Sequence, residues 1–133
     1  MKRLLLIAVG LTMLGAGLAR ADHHEADEHP LYELRTYYTE EGKIDDLHAR
    51  FRDHTIGLFA KHGIKNIGYW SPAEDPSTLI YLIAHKDADA AKASWTAFGQ
   101  DPEWQKVAKS SRANGPILTK IDSVYMTKTP YSP

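Results

Sequence analysis

The octapeptide TLIYLIAH, Thr78–His85, decides the fold of this chain. It is rich in β-branched and aromatic residues, which predict a strand, and successive strand residues point to opposite faces. Both faces of this strand would be apolar. The two sets are Leu79, Tyr81 and Ile83, and Ile80, Leu82 and Ala84. Helices can cover one face, and a second copy of the sheet is the natural cover for the other. We therefore expect a homodimer that pairs through its sheet faces.

The segments around this strand predict a complete small domain. Periodicity and turn residues indicate the following elements in chain order: a strand Leu31–Tyr38, a helix Gly42–His62 ending at Gly63, a strand Ile64–Trp70, the strand Thr78–His85, a helix capped by Asp87 or Asp89 and ending at Gly99, a helix restarted by Asp101 and Pro102, and a strand Ile117–Thr127. This βαββαβ order predicts a ferredoxin-like α+β fold with an antiparallel sheet and helices on one face.

The stretch SWTAFGQDPEWQKV, Ser94–Val107, holds two of the three tryptophans. Trp95 and Phe98 share one helical face, and Trp104 begins the face of the next helix. Such spacing is typical of residues that pack on a sheet, although the same side chains could line a cavity.

The N-terminus predicts export. Lys2 and Arg3 precede the apolar run Leu4–Leu18, and the tripeptide at 19–21 fits a signal-peptidase site, so residues 1–21 would be a signal peptide. The run is short for a membrane span, and we expect no stable insertion after cleavage and a secreted or periplasmic location. Cleavage would remove three basic residues, from 16 to 13 against 17 acidic ones, a net charge of -4. Because this balance disfavours phosphate-backbone binding, we expect no nucleic-acid partner.

Residues 22–30, DHHEADEHP, have no large apolar side chain and predict a flexible lead-in to a domain spanning 31–133. If cleavage follows Ala21, His24 becomes the third residue. An amino terminus, two backbone nitrogens and an imidazole at position three form a four-nitrogen square-planar set that suits Cu(II) or Ni(II). A solvated tether with no specific role is the simpler interpretation.

Six motifs together resemble the NIPSNAP family within the dimeric α+β barrel superfamily: YELRTYY, GK opening a helix, LFAKHGIKNIGYW, LIYLIAHKD, SWTAFGQDPEW and KIDSVYMT. The resemblance covers Leu31 to about Pro133. It implies a ferredoxin-like protomer that pairs through its sheet. It implies no particular reaction, because the superfamily includes cofactor-independent monooxygenases, haem-using enzymes and proteins of unassigned role, and a shared fold does not transfer chemistry.

His54 is the candidate catalytic residue. It lies three residues after Phe51 and four before Leu58, which predicts that it faces the sheet, where an imidazole can transfer protons or ligate a metal. A histidine hydrogen-bonded within the core is the alternative. His62, beside the stop Gly63, is assigned a structural role at the helix end.

Other residues could join His54 around a ligand between helices and sheet. The predicted ligand-binding set is Arg35, Tyr37, His54, Tyr69, Tyr81, His85 and Trp95. Arg35 would equally pair with a carboxylate such as Glu33 or Asp122.

Three functions fit these features. The first is a homodimer that binds a small apolar or aromatic molecule. The second is a cofactor-independent oxygenase with His54 as its base, or a haem-binding variant with His54 or His85 as axial ligand. The third is an interaction module with a solid barrel, in which the exposed histidine-rich lead-in at residues 22–30 does the binding. We expect no cofactor, with haem and Cu(II) as the alternatives. Cysteine is absent from the sequence, which excludes disulfides and thiolate chemistry.

Overall fold

A computed structural model describes residues 31–133. Its elements are β1 (Leu31–Thr39), α1 (Ile44–Arg50), a π-helical segment (Phe51–Thr55), α2 (Ile56–Lys61), β2 (Lys65–Trp70), β3 (Thr78–His85), α3 (Ala88–Gln100), α4 (Pro102–Ser111) and β4 (Leu118–Met126). The predicted signal peptide, lead-in and copper ligand His24 lie outside the described residues.

The four strands form one antiparallel sheet in the order β2-β3-β1-β4. This confirms the predicted ferredoxin-like α+β class. β1 pairs with both β3 and β4, so that Arg35 lies between Tyr81 and Ser123. The pairing of β2 with β3 shifts register between Asn66 and Gly68. The absence of a side chain at Gly68 leaves room for the Trp70 indole, since a Cβ there would lie only 2.5 Å from that ring.

The predicted first helix is present, but a π-helical segment interrupts it directly after Arg50. A π-turn holds more residues than an α-turn, and it therefore rotates the following side chains about the helix axis. As a result Thr55 is buried, and its hydroxyl donates to the Arg50 carbonyl at 3.2 Å. The predicted orientation of His54 is wrong, because this rotation leaves its side chain exposed to solvent.

Aspartates and a glycine fix the helix ends as predicted. Asp87 accepts a hydrogen bond from the Ala90 amide at 2.7 Å, and Asp101 accepts one from the Glu103 amide at 2.8 Å. Gly63 adopts φ 77° just past the C-cap residue of α2, a conformation that strongly favours glycine.

The core between helices and sheet combines aliphatic side chains with a group of aromatic rings in mutual contact. The Phe51 ring lies 5.1 Å from Tyr81 and 5.7 Å from Tyr37, and Phe59 lies 5.4 Å from Trp95. The Phe98 and Trp104 rings are 4.5 Å apart, so the Asp101 cap folds α4 back against α3. The three aromatic residues of the SWTAFGQDPEWQKV stretch, Trp95, Phe98 and Trp104, therefore pack in or against the core.

The opposite face of the sheet carries no helix among residues 31–133. Strand alternation and register place there the residues that we call the open face: Tyr32, Leu34, Tyr38, Trp70, Ile80, Leu82, Val124 and Met126. Val124 and Trp70 are 54% and 53% exposed. The apolar second face predicted from the sequence is present, and the described residues leave much of it uncovered.

Candidate functional site

One end of the helix-covered face holds a buried carboxylate with four donors. Glu33 is 1% exposed. Its Oε1 accepts from Arg35 Nη1 at 2.6 Å and from the Ser123 hydroxyl at 2.8 Å. Its Oε2 accepts from His85 Nε2 and from the Trp95 indole nitrogen, both at 2.8 Å. We call these five residues the Glu33 cluster, and it confirms the predicted pairing of Arg35 with Glu33.

The donors keep Glu33 ionised. Burial alone would raise its pKa, but the hydrogen bonds from His85, Arg35, Ser123 and Trp95 outweigh burial and lower the pKa to about 2. Because an ionised carboxylate only accepts hydrogen bonds, His85 must carry a hydrogen on Nε2. His85 Nδ1 is buried without a hydrogen-bond partner among the described residues. The cluster is therefore held together by charge-assisted bonds rather than left free for a ligand.

Three tyrosines lie in the core beside this cluster. The rings of Tyr69 and Tyr81 stack at 5.3 Å, and the Tyr37 ring meets Tyr81 edge-on at 5.2 Å. Burial raises the pKa of both Tyr69 and Tyr81. Neither phenol is suited to act as a base at neutral pH, because its ionised form would have to exist in an apolar environment.

A cavity of about 260 Å³ lies at the other end of the helix-covered face. We call it the inner cavity, and its lining residues are Tyr37, Arg50, Phe51, Thr55, Phe59, Phe98, Trp104, Ala108, Arg112, Pro116, Ile117, Leu118 and Ile121. Five of these are aromatic, and none is an aspartate, glutamate or histidine. The inner cavity is thus an apolar, aromatic space whose formal charges are both positive.

Arg50 is the residue of this lining that sequence reasoning missed. It ends α1 and is 7% exposed, with its guanidinium 5.4 Å from the centre of the Trp104 ring. Its Nη1 donates to the Ser111 hydroxyl at 3.3 Å, whereas its Nε is buried without a partner among the described residues. Burial lowers the pKa of Arg50, and nearby Arg112 lowers it further, although Tyr37 partly opposes them. A lone arginine between Leu47 and Phe51 was the available sequence signal.

A second, larger space of about 510 Å³ lies between α1, the π-helical segment and α4. We call it the outer groove, and its lining residues are Asp46, Ala49, Arg50, Asp53, His54, Glu103, Lys106, Val107, Ser110, Ser111 and Asn114. It mixes acidic and basic side chains, and Arg50 borders both spaces.

The structure divides the predicted ligand-binding residues among four places. Tyr37 lines the inner cavity, Tyr69 and Tyr81 pack in the core, and His54 lies at the outer groove. Arg35, His85 and Trp95 belong to the Glu33 cluster. The predicted set therefore does not converge on one pocket, and the roles assigned to these residues stay predictions.

Within residues 31–133, no group of three or more histidine, aspartate or glutamate side chains is arranged to hold a metal ion. In the same range, no helix is both long and apolar enough to cross a membrane.

Comparison with known proteins agrees with this fold. The NIPSNAP family model matches residues 32–133. An uncharacterized NIPSNAP-like domain protein from Burkholderia xenovorans is 19% identical, with a TM-score of 0.69 over 80% of this chain and 90% of the other. A NIPSNAP family protein of unknown function from Agrobacterium tumefaciens is 21% identical, with a TM-score of 0.69 over 81% and 96%.

More distant structures share the architecture. A putative antibiotic biosynthesis monooxygenase from Nitrosomonas europaea is 12% identical, with a TM-score of 0.57 over 81% of this chain and 99% of the other. None of the curated proteins matches the sequence significantly. At such identities the structural likeness shows the fold alone.

Proposed function

This chain belongs to the NIPSNAP family, and from that premise we propose that it is an exported homodimer that binds a small apolar or aromatic molecule in the inner cavity. The observation that carries the proposal is the aromatic lining, which includes Tyr37, Phe51 and Trp104. Small-molecule sites are typically concave and mostly apolar, with a few polar groups that orient the ligand. The volume of about 260 Å³ lies just below the usual range of about 300–1,000 Å³, which favours a ligand of one or two rings.

Binding is favoured over catalysis, because the described lining of the inner cavity offers no general base. An oxygenase of the cofactor-independent kind needs a base beside its substrate. The described lining of the inner cavity includes no histidine or carboxylate, and His54 lies instead at the outer groove. An axial haem histidine would likewise have to come from outside this lining.

The proposed dimer would form through the open face. No helix covers it among residues 31–133, and Trp70 and Val124 on it are more than half exposed. An apolar surface of this kind is a common interface between identical subunits. Export is supported by the charged and apolar N-terminal pattern at residues 1–21.

Filling the inner cavity tests the binding function. Ala108 lines the cavity from α4, and Ala108→Phe would place a ring in the space of the ligand. Ala97→Phe is the matched control, because Ala97 is exposed on α3. Naphthalene-type probes should bind the wild type and the control and fail to bind the filled variant in NMR chemical-shift titrations. Equal binding by both variants would refute the assignment of the site to the inner cavity.

A further inference from the structure

Arg50 is a buried cation that has no counter-ion among residues 31–133. It is 7% exposed, and among the described residues its side chain makes no salt bridge. The Ser111 hydroxyl accepts a hydrogen bond from one of the five N–H groups of Arg50, and the Trp104 ring makes a cation–π contact with the guanidinium at 5.4 Å. Burying a charge is costly unless it is paired, and these two neutral groups compensate for only part of that cost.

The surroundings of Arg50 show where an anion would be favoured. On the outer side three carboxylates line the groove, from Asp46, Asp53 and Glu103, and they outnumber the one lysine there, Lys106, so that they disfavour a negative ligand. On the inner side the described lining includes no carboxylate, and Arg112 contributes a second positive charge. Arg50 lines both spaces, and its buried Nε has no hydrogen-bond partner among the described residues. Electrostatics therefore favours an anion in the inner cavity rather than in the outer groove.

From this arrangement we propose that the ligand of the inner cavity is a small organic carboxylate, with its acid group paired to Arg50 and its ring or chain packed against Phe51, Phe98 and Trp104. The inference rests on the proposed binding function and specifies the class of ligand. A carboxylate matches the planar fork of an arginine, which can donate two parallel hydrogen bonds to it. Its apolar part would occupy the aromatic portion of the lining.

A pair of probes of nearly the same shape tests the inference. Naphthoate carries a carboxylate, whereas naphthamide carries a neutral amide in the same place. We expect the wild-type protein to bind naphthoate at least tenfold more tightly by isothermal titration calorimetry, which corresponds to about 1.4 kcal/mol. NMR titration should locate the largest shifts at the Trp104 indole and the Arg50 side chain.

Variants separate the charge of Arg50 from the general charge of the protein. Arg50→Gln should remove the preference for naphthoate, and Arg50→Lys should keep only part of it, because lysine retains the charge without the fork. Arg52→Gln is the matched control, because it removes one positive charge only two residues away. Arg52 is exposed and pairs with Asp53 at 2.9 Å. It should keep the full preference.

The outcomes distinguish the inference from the function on which it rests. Equal affinity of the wild type for both probes would refute the carboxylate class and leave the binding function standing. Failure of both probes to bind up to their solubility limit would refute the binding function and the inference together. The comparison of probes on the wild type decides these cases even if an Arg50 variant fails to fold.

Discussion

Replacing Glu33 by glutamine should destabilise the protein strongly, although the two side chains have nearly the same shape. The substitution removes a buried negative charge that pairs with Arg35, and it turns one of two acceptor oxygens into an NH₂ donor. Each oxygen of Glu33 accepts two hydrogen bonds, so two of the four donors around it would face another donor. Glu33→Gln therefore leaves buried N–H or O–H groups unsatisfied, whichever way the amide is turned.

The magnitude follows from the pKa of Glu33. A fall from 4.5 to about 2 corresponds, at about 1.4 kcal/mol for each pKa unit, to roughly 3 kcal/mol of stability at neutral pH. The loss on breaking a buried ion pair, about 3–5 kcal/mol, is of the same size. For a domain of this length, each kcal/mol changes Tm by about 4–8 °C, so the drop should be about 12–24 °C.

The lowered pKa of Glu33 also makes the free energy of unfolding depend on pH. Because the folded-state pKa of Glu33 is below its unfolded value, its contribution is complete above the unfolded pKa of 4.5 and is lost as pH falls toward the folded value of about 2. Other carboxylates titrate in this range too. The free energy of unfolding should therefore fall more steeply between pH 5 and 2 for the wild type than for Glu33→Gln, and the two curves should converge.

Urea unfolding at each pH measures this free energy of unfolding. The protein concentration is kept fixed, because the stability of a dimer depends on concentration. Glu74→Gln is the control, since Glu74 is exposed in the loop between β2 and β3. It should change stability by less than about 0.5 kcal/mol. If the curves of the wild type and Glu33→Gln stay parallel from pH 5 to 2, the donors do not stabilise the ionised form and the reasoning fails.

Two further predictions concern the open face and the Asp101 cap. Leu82→Glu should convert the dimer into monomers in native mass spectra, because dimerisation would bury the new charge at the open face. The control Ala97→Glu, on the exposed side of α3, should stay dimeric. A monomeric wild type would contradict the proposed interface. Asp101→Ala should lower Tm more than Asp101→Asn, because asparagine can still cap α4 whereas alanine also loses the bond to the Glu103 amide. Hydrogen bonds from Lys61 and His62 hold the pKa of Asp101 well below its usual range. The difference in Tm between the wild type and Asp101→Asn should therefore shrink at acidic pH, as Asp101 becomes protonated. A difference in Tm that stays constant with pH would contradict the stabilisation of the ionised carboxylate.

The fold could be predicted from the sequence because its signals are local and repeated. Strand alternation in TLIYLIAH, the glycine stop at Gly63 and the caps at Asp87 and Asp101 each specify a boundary or a face within a few residues. The orientation of His54 could not be predicted in this way. It depends on the π-helical segment Phe51–Thr55, whereas the spacing of apolar residues in the sequence was interpreted with the periodicity of an ordinary α-helix.

The grouping of polar residues depended on tertiary contacts. Glu33 and Arg35 are neighbours along β1, and their pairing was accessible to sequence reasoning. His85, Trp95 and Ser123 join them from three other elements, at separations of 52 to 90 residues from Glu33. No local pattern indicates that these donors share one carboxylate instead of lining a pocket with His54.

The two arginines beneath the helices make the strongest argument about the site. Arg35 and Arg50 are both largely buried, and each lies near the face of a tryptophan. Arg35 has an internal counter-ion at 2.6 Å, which shows that this fold can neutralise a buried guanidinium with its own carboxylate. Arg50 has none among the described residues, and a well-packed apolar side chain would usually stabilise such a position at least as well. Stability therefore accounts for Arg35 but not for Arg50, and a cation that costs stability beside an aromatic cavity is best explained by an anion that comes from outside the protein.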